Sequence, residues 1–130
     1  MIDLQRRGPS DDPSDTVADF IKTRTYDIDG DGEGLWTIVP WGRRFGFAGD
    51  DLAEFVRLCV MRLLDAGAVP VRHSPSGKLM LWQEQTQYGT THDQIADGIV
   101  AEWLGSGGGD PPWGYLWFVT REVLENDRRE

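Results

Sequence analysis

The segment that most constrains the fold is an amphipathic stretch in the middle of the chain. Its apolar residues recur at helical spacing and would share one helix face: Leu52, Phe55, Val56, Cys59, Leu63 and Leu64. Other parts of the chain must cover such a face, so the segment predicts a core helix. Asp51 and Glu54 have the spacing of a capping box at its start, and Gly67 suits the left-handed residue that ends a helix.

Two hairpins are predicted, one before this helix and one after it. Short runs of β-branched and aromatic residues alternate with turn-forming residues, which is typical of antiparallel strands. The predicted strands are residues 35–39, 44–47, 69–73, 78–83 and 115–119. The last strand is apolar on both faces, and this favours a central position in the sheet.

Three further helices complete the predicted fold. Ser14 or Asp15 is expected to cap a short first helix, and Thr120 a short last one. Thr91 and Gln94 form a second capping-box pair. The helix after them is expected to end at Gly105 and to bury Ile95, Ile99, Val100 and Trp103. The predicted class is therefore α+β, a mainly antiparallel sheet of about five strands with three to four helices packed on it.

We predict one domain over residues 14–127, preceded by a mobile tail at 1–13 that is rich in Gly, Pro and Asp. The glycine-rich segment at 105–112 follows a helix, leads into two prolines and lacks the Lys-Ser/Thr pair of a phosphate loop. It is therefore expected to be a mobile connection inside the domain.

The composition excludes several classes of protein. The chain has 130 residues and a single cysteine, Cys59, which excludes a disulfide framework and multi-cysteine metal sites. No apolar run approaches the length of a membrane span, and the first residues lack the apolar stretch of a secretory signal. We therefore expect a cytoplasmic protein without a membrane partner. A net charge of −9 argues against direct binding of nucleic acid or anionic lipid.

More than half of the excess negative charge lies at the start of the chain. The first 34 residues carry 9 Asp/Glu and 4 Lys/Arg, a net charge of −5. Asp27, Asp29, Asp31 and Glu33 are concentrated in one predicted loop. Such a cluster can be a solvated face, or it can steer and contact a basic partner protein.

The same loop has a partial resemblance to a calcium-binding loop. Asp27, Asp29 and Asp31 alternate, and Gly32 lies where a sharp turn is needed. The twelfth position should carry a bidentate glutamate, but it is Ile38. A module that binds calcium or a small molecule through residues 27–31 is therefore kept as an alternative, and no cofactor is predicted.

Tryptophan is unusually frequent, with six residues. Four lie in predicted strands or helices and are assigned to the core: Trp36, Trp82, Trp103 and Trp117. Trp41 and Trp113 lie in predicted loops, where an exposed indole is costly unless it folds onto the core or anchors a partner. Both are candidate anchors of a binding surface.

Catalytic residues are not evident. His73 and His92 are the only histidines, and Cys59 lies on the apolar helix face, as an inert core thiol would. No spacing favours a Cys/His pair or paired catalytic carboxylates. No catalytic residue is therefore assigned, and a small enzyme is kept as a second alternative.

Several segments resemble small bacterial immunity proteins of the polymorphic-toxin type. They are LWTIVPWG at 35–42, LDAGAVPV at 64–71, IADGIVAEW at 95–103 and LWFV at 116–119. The resemblance spans about two thirds of the chain, and it implies a cytoplasmic, non-enzymatic protein that binds and blocks a cognate toxin. The group has no common binding site, so no site residue is carried over.

These observations lead to one functional hypothesis. We expect a binding protein that inhibits a basic partner by occluding its functional surface. The carboxylates of Asp27, Asp29, Asp31 and Glu33 would supply the electrostatic contact, and Trp41 or Trp113 the anchor.

Overall fold

The structure is a computed structural model that describes residues 2–10, 12, 15–26, 33–76 and 79–129. Its elements in chain order are α1 (Val17–Thr23), β1 (Glu33–Gly34), α2 (Leu35–Arg44), α3 (Gly49–Asp65), β2 (Ala68–Ser76), β3 (Leu79–Glu84), α4 (His92–Gly105), β4 (Trp117–Thr120) and α5 (Arg121–Arg129). Among these residues no helix is long and apolar enough to cross a membrane.

The four described strands form one antiparallel sheet in the order β1-β4-β2-β3. This confirms the α+β class, with one strand fewer and one helix more within the described residues than the sequence predicts. β4 is an inner strand, as its two apolar faces predict. Val71 lies opposite Trp117, and His73 lies opposite Trp82. Because opposite residues in an antiparallel pair share a face, this register determines which side chains meet outside the core.

The first predicted hairpin is wrong. Residues 35–39 and 40–43, predicted as a strand and a turn, lie together in helix α2, and residues 44–47 form no strand. The residues that α2 buries, Leu35, Ile38, Val39 and Gly42, follow the i, i+3, i+4, i+7 spacing of a helix face. Burial of this face outweighs the low helix propensity of its β-branched residues and the interior proline, Pro40.

Helix α3 buries the predicted apolar face but begins differently. Its N-cap is Ala48, which has no side-chain cap, so the predicted Asp51–Glu54 capping box is wrong. The Glu54 carboxylate instead accepts a 2.8 Å hydrogen bond from the backbone N–H of Ile2. The predicted stop is confirmed, because Gly67 has a φ of +92° directly after the helix.

The other helix caps mostly follow the sequence. Thr91 and Gln94 form the predicted capping box of α4, which ends at Gly105. Thr120 Oγ1 accepts a hydrogen bond from the Val123 N–H at the start of α5. The cap of α1 is Thr16 and not Asp15, and the other predicted cap, Ser14, lies outside the described residues.

Helices pack on both faces of the sheet. One face contributes Ala68 and Phe118 to the main core, which also contains residues of helices α1 to α4. Phenylalanine rings contact each other within this core: Phe20, Phe45, Phe47 and Phe55. The opposite face carries Val71 and Val119 against Leu124 of α5. Because α5 is a short helix at one end of β4, it leaves part of this outer face for other side chains.

The segment predicted as a tail reaches the core. Ile2 is buried, and Arg7 forms an antiparallel bridge with Thr16. The division of the chain at residue 13, and the mobility of what precedes it, stay predictions.

Candidate partner-binding surface

Four tryptophans and a histidine form one contiguous surface on the outer face of the sheet. We call it the tryptophan face, and its members are Trp36, His73, Trp82, Trp113 and Trp117. β2, β3 and β4 contribute one residue each, because the register aligns them on the same side. Helix α2 and the loop before β4 add Trp36 and Trp113.

Trp117 is the centre of this face. Its ring centroid lies 4.5 Å from that of Trp36, 5.3 Å from Trp82 and 5.5 Å from Trp113, and all three pairs are edge-to-face. The His73 ring lies 4.1 Å from Trp82 and 5.8 Å from Trp117. Edge-to-face pairs at these distances are attractive beyond the area they bury, so the rings hold each other in place.

A glycine gives Trp36 its position. Gly34 pairs with Trp117 across the β1–β4 ladder and is the N-cap of α2. The Trp36 indole lies directly against it, and a Cβ atom at residue 34 would overlap the ring. The absence of a side chain at Gly34 therefore allows Trp36 to reach Trp117.

Trp113 is the most exposed member, with 74 % of its surface accessible. Its loop is nevertheless anchored. Arg43 of α2 donates to Asp110 Oδ1 and to the Gly108 carbonyl, both at 2.7 Å, and Trp103 Nε1–H donates to the Gly109 carbonyl at 2.7 Å. Residues 108–110 of the glycine-rich segment, which is predicted to be a mobile connection, are thus held by Arg43 and Trp103 a few residues before Trp113.

The chain after Trp113 is fixed by a polar cluster on the core side of the sheet. Oε1 of Glu102 in α4 accepts hydrogen bonds from Arg72 at 2.5 Å, from Tyr115 at 3.0 Å and from Tyr88 at 3.2 Å. Arg72 also donates to the Tyr115 carbonyl at 3.0 Å. Tyr115 lies two residues from both Trp113 and Trp117, so the cluster connects α4 and β2 to the tryptophan face.

This cluster keeps its charges at neutral pH. Burial favours the neutral form of Glu102, but the hydrogen bonds from Arg72 and Tyr115 outweigh it and hold the pKa of this carboxyl below its usual value. Burial raises the pKa of Tyr88 to about 12. An ionised carboxylate with three donors on one oxygen is not available as a general acid, and we assign the cluster a structural role.

The two candidate anchors, Trp41 and Trp113, lie in different parts of the structure. Trp113 belongs to the tryptophan face. Trp41 lies in helix α2 and not in a turn, half-buried against Phe20 with the Arg44 guanidinium 4.7 Å from its ring. Because Trp36 and Trp41 are five residues apart, they project about 140° apart around the helix.

The acidic residues are only partly described. Asp27, Asp29 and Asp31, which are also the candidate calcium ligands, lie outside the described residues. Glu33 lies in β1, where its carboxylate forms a 3.2 Å ion pair with Arg24 and is 13 % exposed. Much of the negative charge of Glu33 is therefore balanced by Arg24 within the fold. Among the described residues no group of three or more His, Cys, Asp or Glu could hold a metal ion.

Three members of the face are not among the predicted site residues. Trp36, Trp82 and Trp117 are predicted in the core, but each is only half-buried. Trp82 and Trp117 pack against the small core of Val71, Val119 and Leu124, and Trp103 is buried as predicted. The position of Trp117 could have been predicted, because successive side chains of a strand point to opposite faces and Phe118, its neighbour, lies in the core. Trp36 could not be placed, because its segment was interpreted as a strand.

Cys59 and His92, the remaining candidate residues, lie in different environments of the described structure. Cys59 is buried, and burial raises the pKa of its thiol far above the usual value, so it is an inert core residue. A cavity of about 370 Å³ lies where the end of α3 meets the starts of β2 and α4, and His92 lines it. The other charged groups of its lining, Glu84 and Arg121, form an ion pair of 3.0 Å with each other.

No known protein family, characterised protein or solved structure matches this chain.

Proposed function

We propose that this chain is a non-enzymatic binding protein that inhibits a basic partner protein, in the manner of a toxin-immunity protein. The tryptophan face is its anchor, and the acidic segment that precedes β1 attracts the partner. The proposal places both proteins in the cytoplasm.

The observation that carries the proposal is the contiguous face of four tryptophans outside the main core. Tryptophan is strongly enriched among the residues that dominate binding energies, and such residues cluster at the centres of interfaces. An indole that is 74 % exposed, as in Trp113, gains little for folding. Its anchored loop presents it in one position, which lowers the entropy lost when a partner binds.

The negative charge of the chain supports a positively charged partner. The net charge is −9, and Asp27, Asp29 and Asp31 lie within six residues of Glu33 in β1. β1 pairs with β4 at Trp117, the centre of the tryptophan face. A negative protein repels nucleic acid and attracts a positive surface, and this attraction chiefly raises the association rate.

The experiment is a paired capture from the lysate of the source cells. The wild-type protein and Trp113→Ala are immobilised in parallel, and bound proteins are eluted with a salt gradient and identified by mass spectrometry. We expect the wild type to retain one basic protein that Trp113→Ala loses. Leu4→Ala is the matched control, because Leu4 is an exposed apolar residue outside the tryptophan face.

Inhibition is tested separately from binding. The captured protein is expressed in a heterologous host alone, with the wild-type chain, and with Trp113→Ala. We expect growth arrest by the partner, rescue by the wild type, and loss of rescue with the variant. Equal capture by the wild type and Trp113→Ala would contradict the proposal, as would growth arrest that the wild type does not relieve.

A further inference from the structure

We propose that the tryptophan face recognises an arginine side chain of the partner, whose guanidinium stacks on the indole of Trp113 beside Trp36. This inference rests on the proposed function, and it adds the chemical group that the face selects.

Outside the tryptophan face, aromatic rings of this protein stack with arginine side chains. Four arginines lie over rings outside the tryptophan face, and each belongs to this chain. Their guanidinium carbons lie 3.6 to 5.2 Å from the ring centroids, in the pairs Arg24–Phe20, Arg44–Trp41, Arg6–Phe47 and Arg72–Tyr115. Stacking of a guanidinium on an aromatic face is therefore a recurrent contact in this molecule.

Three rings of the tryptophan face lack such a partner among the described residues. Within the described part of the chain, no guanidinium or ammonium group lies over Trp36, Trp113 or Trp117. Trp117 is packed edge-to-face by its neighbours, whereas Trp113 keeps most of its surface accessible. The open π surface is therefore that of Trp113, with Trp36 at a centroid distance of 5.9 Å.

The charge of the protein and the π surface of the face both favour a cationic ligand. Indole is the strongest π partner for cations among protein side chains, and its attraction grows when the cation is desolvated. Two described carboxylates close to the face in sequence are paired within the fold: Glu33 with Arg24, and Asp110 with Arg43. The local cation site is therefore supplied by the rings, while the negative net charge attracts a basic ligand from a distance. A planar guanidinium can stack on an indole, which a compact ammonium cannot do as well.

The test uses a defined probe. A peptide of alternating glycine and arginine is titrated into the ¹⁵N-labelled protein, and the indole N–H signals are followed by NMR. The matched probe replaces arginine with citrulline, which keeps the size and planarity but removes the charge. We expect the arginine peptide to shift the signals of Trp113 and Trp36, and the citrulline peptide to bind much more weakly.

Protein variants then locate the effect. Trp113→Leu keeps an apolar side chain without the indole and should weaken arginine-peptide binding about 2- to 30-fold, the range of measured cation–π contributions. Leu4→Ala should bind the peptide as the wild type does.

Three outcomes would overturn the inference: equal binding of both peptides, binding that leaves the Trp113 and Trp36 signals unmoved, or a concentration-dependent dimer of this chain that Trp113→Leu abolishes. The first two outcomes leave the proposed function intact if the paired capture still depends on Trp113. The proposed function fails independently if the capture does not depend on it.

Discussion

Replacing Trp113 by alanine should lower the free energy of binding more than the free energy of unfolding. A tryptophan side chain buries at most about 250 Å². Since 74 % of Trp113 is exposed, about 180 Å² are left for a partner to cover, worth about 4.5 kcal/mol at 25 cal/mol per Å². Interfaces rarely cover an anchor completely, so we expect Trp113→Ala to cost about 2–4 kcal/mol of binding free energy, or about 30- to 1000-fold in Kd.

The cost to folding should be smaller. About 60 Å² of Trp113 are buried in the free protein, which corresponds to about 1.5 kcal/mol. Titration calorimetry with the captured partner gives the Kd, and urea unfolding gives the free energy of unfolding. Leu4→Ala is again the control for a surface truncation elsewhere. A Kd that changes less than threefold, or a loss of unfolding free energy above about 4 kcal/mol, would refute the reasoning.

Three further predictions follow from particular contacts. Gly42→Ala should lower the free energy of unfolding by about 1–3 kcal/mol, since the added methyl would lie 2.7 Å from a Phe55 ring carbon; unchanged urea unfolding would contradict this. Arg43→Gln should release the loop before Trp113, giving faster amide exchange at Gly108, Gly109, Asp110 and Trp113 without loss of the fold; unchanged exchange would refute the anchoring. Burial raises the pKa of Tyr88 to about 12, so the folded state holds this proton more tightly than the unfolded chain does. The resulting stability is present below pH 10 and is lost as the pH rises towards 12, and urea unfolding between pH 9 and pH 12 should show a flatter decline in Tyr88→Phe than in the wild type.

Local signals with a strong physical basis were read correctly from the sequence. The capping box of Thr91 and Gln94, the stop at Gly67 and the hairpin of β2 and β3 each depend on neighbouring residues, so short-range patterns predict them. The inner position of β4 followed from its two apolar faces, which only a covered strand tolerates.

The error at α2 has a definite cause. Residues 35–39 are rich in β-branched and aromatic side chains and precede a proline, all of which favour a strand locally. Tertiary burial overrides this preference, because Leu35, Ile38, Val39 and Gly42 fit a helix face against α3. The same spacing is present in the sequence, and the prediction of a hairpin did not take it into account.

The binding surface was harder to predict than the fold. Its members come from residues 36 to 117 in sequence, and they meet only through the sheet order and the β2–β4 register. The loop position of Trp113 made it a candidate anchor but left open whether its indole folds onto the core, and the structure shows it exposed. The clustering of Trp36, Trp82 and Trp117 with Trp113 was not predicted. Patterns in a single sequence do not reveal which part of a sheet face a short helix such as α5 leaves uncovered.

The most direct test of the account is the indole region of the ¹H–¹⁵N NMR spectrum during titration with the captured partner. The chain has six tryptophans, so each contributes one resolvable side-chain signal. We predict that the signals of Trp36, Trp82, Trp113 and Trp117 shift or broaden, while those of Trp41 and Trp103 stay in place. Changes confined to Trp41 and Trp103, or no change at any indole when the partner is bound, would contradict the tryptophan face as the binding surface.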